Sequence, residues 1–138
     1  MTTVRKALSA NDLGKTGSHQ AGILVPRVKE MLAFFPPLDS SVKNPRATIV
    51  LRELGDGARR EFNFIYYNGK LFGGTRNEYR LTCMTAYLRE SGADVGDEVI
   101  LSKNEDSSYL IDIERSSAQS AAVEEDVIVL SGGWKITK

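Results

Sequence analysis

Two short segments hold the residues best suited to chemistry in this 138-residue chain. One is Thr75-Arg76-Asn77-Glu78-Tyr79-Arg80; the other runs from Asn11-Asp12 through Lys15 to Gly17-Ser18-His19-Gln20-Ala21. Arginine can make two parallel bonds to guanine, asparagine and glutamine can do so with adenine, and a carboxylate can accept from the amino group of cytosine. Both segments therefore carry what reading base edges in a DNA groove requires. The alternation of Arg76, Glu78 and Arg80 admits a second reading, one solvent face of a strand held by mutual ion pairs worth little each. His19 offers a ring nitrogen to a base or a phosphate, and Gln20 is either an outward adenine contact or the half-buried start of a strand.

Hydrolytic chemistry finds poor material. Gly14-Lys15-Thr16 has the look of the end of a phosphate-binding loop, but Ser9 stands where the first glycine belongs, and Gly17 and Gly22 interrupt the helix that should follow. A metal-dependent nuclease needs two or more converging carboxylates with a lysine nearby. Glu78-Tyr79-Arg80 puts arginine where that lysine is expected, Asp39 sits in a turn rich in Pro and Ser, and Glu124-Glu125-Asp126 reads as a solvated run. His19 has only Ser18 beside it in a polar loop, a poor setting for a general base. One cysteine, Cys83, and one histidine exclude an internal disulfide and a structural zinc site. No catalytic residue, metal site or cofactor is expected.

Apolar residues make up 41% of the chain and charged residues 26%, which is the range of a folded globular protein, and the length suits a single domain over residues 1–138. No signal-length apolar run opens the sequence, and no stretch approaches the roughly 20 apolar residues of a membrane span, so a cytoplasmic location is expected. Net charge is zero, yet residues 1–80 carry 13 Lys+Arg against 7 Asp+Glu while residues 81–138 carry 5 against 11. Such an asymmetry permits a basic DNA-facing side with an acidic back, or two sets of charges that interleave in space.

The elements that must position these residues read as strands. Val4–Leu8 is a short strand, Ser9–Gly22 a long loop, and Ile23-Leu24-Val25 an apolar run ended by Pro26. That proline could open a short helix through Val28, Met31 and Leu32, stopped by Phe34-Phe35-Pro36-Pro37. Arg46–Leu54 and Arg59–Asn68 alternate around Gly55-Asp56-Gly57 as a hairpin. Asn68-Gly69 signals a tight turn, with Tyr79–Met84 returning as a strand. Val95–Lys103 and Ser108–Glu114 form another hairpin around Asn104-Glu105-Asp106. Ser116–Glu125 is a short helix or loop, and Val127–Leu130 a last strand. Many short strands with little helix point to a closed or half-closed barrel.

Leu8 to Ile23 (LSANDLGKTGSHQAGI), Tyr66-Tyr67-Asn68 and Gly73 to Thr82 (GGTRNEYRLT) stand in the order and at the separation found in the N-terminal DNA-binding domain of EcoRII-type restriction endonucleases. That family is similar in fold to the plant B-three transcription-factor domains. The chain resembles it over most of its length, although residues 27–60 and those beyond 83 match only as strand patterns. The resemblance implies a mainly β (α+β) fold, a seven-stranded pseudobarrel with short helices that grips double-stranded DNA by two arms in the major groove. The first arm is the loop of about residues 9–22, with Lys6 before it and Asn11, Asp12, Lys15, Ser18, His19 and Gln20 within it. The second is the loop of about residues 73–82, with Arg76, Asn77, Glu78, Tyr79 and Arg80; Tyr79 departs from the family, which has a basic residue there. Arg76, Glu78, Arg80 and His19 are expected to read bases, and Lys6 and Lys15 to contact phosphate. A site of the CC(A/T)GG kind, monomeric binding, and a nuclease domain either linked or separate are implied as well. The competing classes are a small Mg²⁺-dependent endonuclease and a protein-interaction β-barrel.

Overall fold

In the computed structural model, residues 1–14, 22–116, 127–130 and 133–137 are described. The alternating segments fold as β-strands, as their period of two requires. In chain order these are β1 (Thr2–Ala7), β2 (Ile23–Val25), β3 (Arg46–Glu53), β4 (Arg59–Tyr67), β5 (Glu78–Thr82), β6 (Glu98–Lys103), β7 (Tyr109–Glu114), β8 (Val127–Val129) and β9 (Trp134–Thr137). Two short helices, α1 (Lys29–Leu32) and α2 (Thr85–Glu90), and a 3-10 turn at Gly69–Phe72 complete the described elements.

All nine strands belong to one sheet, ordered β2-β5-β4-β3-β7-β6-β1-β9-β8. Every neighbouring pair is antiparallel except β3 and β7, which run parallel with Leu51 opposite Tyr109. The sheet curls back on itself: the Trp134 indole N–H on β9, next to the edge strand β8, donates to the Leu24 carbonyl on the other edge strand, β2, at 2.8 Å. Trp134 is 1% exposed, so this bond satisfies a buried donor that would otherwise be costly. Inside the curl lies one core, with Val4, Ile49, Leu51, Phe62, Phe64, Leu81, Val99, Leu101, Ile111 and Ile136 pointing inward from seven strands. Each large side chain there contributes about 1.5–3 kcal/mol by leaving water.

The mainly β half-barrel agrees with the expected class, while its strands number nine among the described residues rather than seven. β9 is the strand that the sequence does not announce. It has four residues, too few for a visible alternation, and takes its register from β1, with Val4 opposite Ile136 and Lys6 opposite Trp134. α2 is hidden for the same reason, being six residues long with no side-chain cap at Met84. Pro26 ends β2 instead of opening the helix: Val28 is still extended (φ −111°, ψ 145°), and α1 begins at Lys29. Val95 lies exposed in a turn, so β6 starts only at Glu98. The segment Ser116 to Glu125, expected as a short helix or loop, lies outside the described residues from 117 onward.

Two polar anchors hold the loops at the barrel mouth. Asn68, fully buried, accepts from the Asn44 N–H at 2.7 Å and donates to the carbonyls of Val42 (2.8 Å) and Ser40 (3.3 Å), pinning the loop before β3 to the end of β4. Asn68→Ala is expected to destabilise the fold by about 1–3 kcal/mol, read as a lower urea midpoint with unchanged slope. Asp97 is the second anchor. Its carboxylate accepts from the N–H groups of Asp94 (2.9 Å) and Ser116 (2.9 Å) and from Arg115 (3.1 Å), while its backbone carbonyl accepts from the Leu8 N–H at 2.8 Å.

Those bonds, the Asp94 N–H first and the Ser116 N–H next, pull the Asp97 carboxyl down to about 2 against the opposing effect of burial, with Arg115 adding to the shift. The folded value lies below the unfolded one of about 3.9, so Asp97 stabilises the fold in full above about pH 4 and loses that contribution as pH falls toward 2. Asp97→Asn is expected to flatten the acid limb of the stability profile in that window, measured by denaturation at a series of pH values. An unchanged acid limb would remove Asp97 as its source.

Candidate nucleic-acid interface

The second arm stands on the tripeptide Tyr66-Tyr67-Asn68. After β4 the chain turns through Gly69–Phe72, and the loop closes on itself by Lys70 N–H to Arg76 carbonyl (2.8 Å) and Gly74 N–H to Gly69 carbonyl (2.7 Å). Tyr66 and Tyr79, paired across β4 and β5, stack with ring centres 4.2 Å apart and planes 5° from parallel. Tyr79 stacks in turn on Phe64 at 5.5 Å, and Phe64 on Phe35 at 4.5 Å, so a file of four rings runs from the core to the arm. Such stacks add about 0.5–1.5 kcal/mol per pair beyond burial and stiffen what sits on them.

That stiffness is passed to the side chains of the arm. The Tyr66 hydroxyl donates to Asn77 Oδ1 at 2.7 Å and so orients the amide. The Arg76 guanidinium lies 3.8 Å from the centre of the Tyr67 ring, and its Nε donates to Glu78 Oε1 at 2.6 Å. Among the described residues its two Nη groups make no hydrogen bond, and the side chain is half exposed, so the fork that fits guanine is left available for a partner. Arg80 lies under Glu78, with its side chain only 8% exposed. It donates to Glu78 Oε2 at 3.4 Å and to the Gly22 carbonyl at 3.5 Å, the point where the first arm returns to β2. Burial is the largest influence on Glu78 and would raise its pKa, but the bonds from Arg76 and Arg80 and their charges outweigh it and hold the carboxyl below the ordinary value. Glu78 is thus a carboxylate at neutral pH, an acceptor fixed between two arginines.

The first arm leaves β1 through a tight polar turn. Asp12 N–H donates to Ser9 Oγ at 3.1 Å while Ser9 N–H donates to Asp12 Oδ2 at 3.0 Å, a reciprocal pair that sets the direction of the chain. Lys6 shares the inward face of β1 with Val4, and its ammonium emerges at the barrel mouth to meet Asp12 Oδ2 at 2.8 Å and the Ala7 carbonyl at 2.8 Å. Both side chains of this ion pair are less than 10% exposed, which makes Lys6 and Asp12 a support at the root of the arm. Asn11 is exposed at the tip of the turn. Lys15, Ser18, His19 and Gln20 fall outside the described residues.

Between the arms lies an open cleft of about 780 Å³. Lys6 and Asp12 line one side, Asn77 and Glu78 the other, and Leu24 to Val28 form the floor. Of the residues that the sequence singles out, the fold therefore brings together members of both segments. Arg27 on the floor is not among those residues, and the two tyrosines beneath the second arm enter only as part of the Tyr66-Tyr67-Asn68 motif, with no contact role assigned. An arginine behind a proline carries no local signal, and the tyrosines mark strand β4 as much as a site. No group of three or more His, Cys, Asp or Glu side chains placed to hold a metal ion occurs among the described residues. No helix among them is long and apolar enough to cross a membrane.

A curled sheet with two polar arms around a cleft is the B3-type pseudobarrel. The fold matches the Arabidopsis FUS3–DNA complex with a TM-score of 0.62 at 18% identity, over 81% of this chain and 95% of that one. It also matches the B3 domain of the UbaLAI restriction endonuclease, solved with cognate DNA, with a TM-score of 0.56 at 24% identity, over 83% of this chain and 68% of that one. Within that fold, residues 1–91 match the family described as restriction endonuclease EcoRII, N-terminal, and the chain belongs to that family. The type II restriction enzyme EcoRII of Escherichia coli is 41% identical over 80 residues, 56% of this chain. The matched segment is 19% of that enzyme, so the chain spans about a fifth of its relative's length.

Proposed function

We propose that this chain is the sequence-specific DNA-recognition domain of a restriction endonuclease, reading a short double-stranded site of the CC(A/T)GG kind through two arms in the major groove. The carrying observation is the second arm, where a guanidinium fork, an amide and a carboxylate are each held in place by a named partner: Arg76 by Tyr67 and Glu78, Asn77 by Tyr66, and Glu78 by Arg76 and Arg80. Base readout rewards that preorganisation, because a bidentate contact only discriminates when its donors are already aimed. Membership of the EcoRII N-terminal family and the DNA complexes among the fold's neighbours support the same reading.

In this reading Arg76, Asn77 and Glu78 address base edges. Arg80 ties the second arm to the return of the first and reaches a base only by giving up its long bonds to Glu78 and Gly22. His19 and Gln20 complete the readout from the first arm, with Ser18 and Lys15 contacting phosphate. The chain binds as a monomer and performs no cleavage; a nuclease domain, linked or separate, supplies that step. Selection from a pool of randomised duplexes at two salt concentrations tests the proposal. Enrichment of one short motif is expected, and binding without enrichment at either salt would leave only a nonspecific or protein-binding role.

A further inference from the structure

Arg27 differs from the other cations around the cleft. Lys6 is neutralised by Asp12, and Arg76 and Arg80 both bond Glu78. Arg27 is exposed on the cleft floor and forms no hydrogen bond or ion pair among the described residues. Its backbone is nevertheless well placed. Val25, two residues before it, is paired with Tyr79 on β5, Pro26 restricts the chain between them, and Val28, one residue after it, accepts the N–H groups of Met31 and Leu32 that begin α1. Among the described residues the side chain is thus an unbonded charge on a fixed stem. Its field reaches the Tyr79 hydroxyl, where it partly offsets the rise that burial and Tyr66 impose.

We infer that Arg27 is a backbone-phosphate contact on the floor of the cleft, supplying charge between the two arms without reading sequence. The inference rests on the DNA-recognition reading above and adds to it a residue that neither arm contains. The side chains of the second arm suited to base edges are each held by a neighbour, whereas Arg27 has no partner among the described residues to set its planar fork in one orientation. A cation that no neighbour orients neutralises a phosphate well and discriminates bases poorly. With no carboxylate bonded to it among the described residues, Arg27 also gives the cleft floor a positive charge of the sign a phosphate needs.

The test compares the unaltered chain, Arg27→Ala and Arg27→Lys on a duplex carrying CCAGG and on a scrambled duplex of equal length, each across a salt series. Arg27→Ala is expected to lose affinity by the same factor on both duplexes and to lower the slope of log affinity against log salt by about 0.9, the change for one phosphate. Arg27→Lys should keep the slope. Loss confined to the CCAGG duplex would make Arg27 a base-reading residue and overturn the inference, and so would an unchanged slope in Arg27→Ala. If the unaltered chain binds neither duplex, the DNA-recognition reading itself falls; if it binds and Arg27→Ala matches it, only the role of Arg27 falls.

Discussion

Arg76→Ala is expected to weaken binding to the cognate duplex by about 1–3 kcal/mol, roughly 5- to 150-fold, and to relax preference at one base pair. The change removes the outward fork and also releases Glu78, whose shortest bond is the 2.6 Å contact from Arg76 Nε. One substitution thus disturbs two readers. Arg76→Lys separates charge from geometry, since it keeps the positive charge but has no planar fork to lie on Tyr67 or to span two acceptors. It should retain nonspecific affinity and salt dependence and still lose the base preference. Competition titrations with cognate and single-mismatch duplexes measure both effects, and equal losses on specific and random DNA would count against readout by this arm.

The largest structural effect is expected at Gly22, where the first arm rejoins the sheet. Its φ is +74°, and a Cβ there would lie 2.1 Å from the Leu81 carbonyl oxygen and 2.8 Å from Thr82 Cα. Those atoms cannot move aside, because Leu81 is paired with Ile23 on one side and Phe64 on the other. Gly22→Ala combines a left-handed backbone with an overlap against main chain, together about 3–5 kcal/mol, enough to detach β2 or unfold the domain. Gly14 is the matched control. Its φ is +73°, but nothing lies within 4 Å of the added Cβ, so Gly14→Ala carries the backbone penalty alone, about 1–2 kcal/mol. Chemical denaturation of the two variants decides the matter, and equal destabilisation would show that the Leu81 contact yields.

Much of the scaffold was legible because its hairpins are marked locally. In β3 and β4, Ile49, Leu51, Phe62 and Phe64 recur at a period of two around Gly55-Asp56-Gly57, and in β6 and β7 Val99, Leu101, Tyr109, Ile111 and Ile113 do so around Asn104-Glu105-Asp106. β9 was not legible, since its four residues become a strand only against β1. The alternation of Arg76, Glu78 and Arg80 suggested either mutual ion pairs or base contacts; the ion pairs are present, and one bonding edge of Arg76 is left over. Lys6 shows the limit of reading residue types. A lysine ahead of a polar loop suggests a phosphate contact, but whether its charge is free depends on Asp12, which the turn at Ser9 swings back onto it. Arg27 shows the converse, a residue without local signal that the folding of β2 against β5 sets on the cleft floor.

The central claim is that a stiff β frame holds two polar arms so that a duplex enters the cleft between them and is read at its base edges. The structure of this chain with a duplex carrying CCAGG tests it most directly. The expected result puts the Arg76 Nη atoms within hydrogen-bond distance of guanine O6 and N7 in the major groove, with the second arm superimposable on its unbound form. A complex in which the arms face solvent while another surface of the barrel meets the DNA would contradict it.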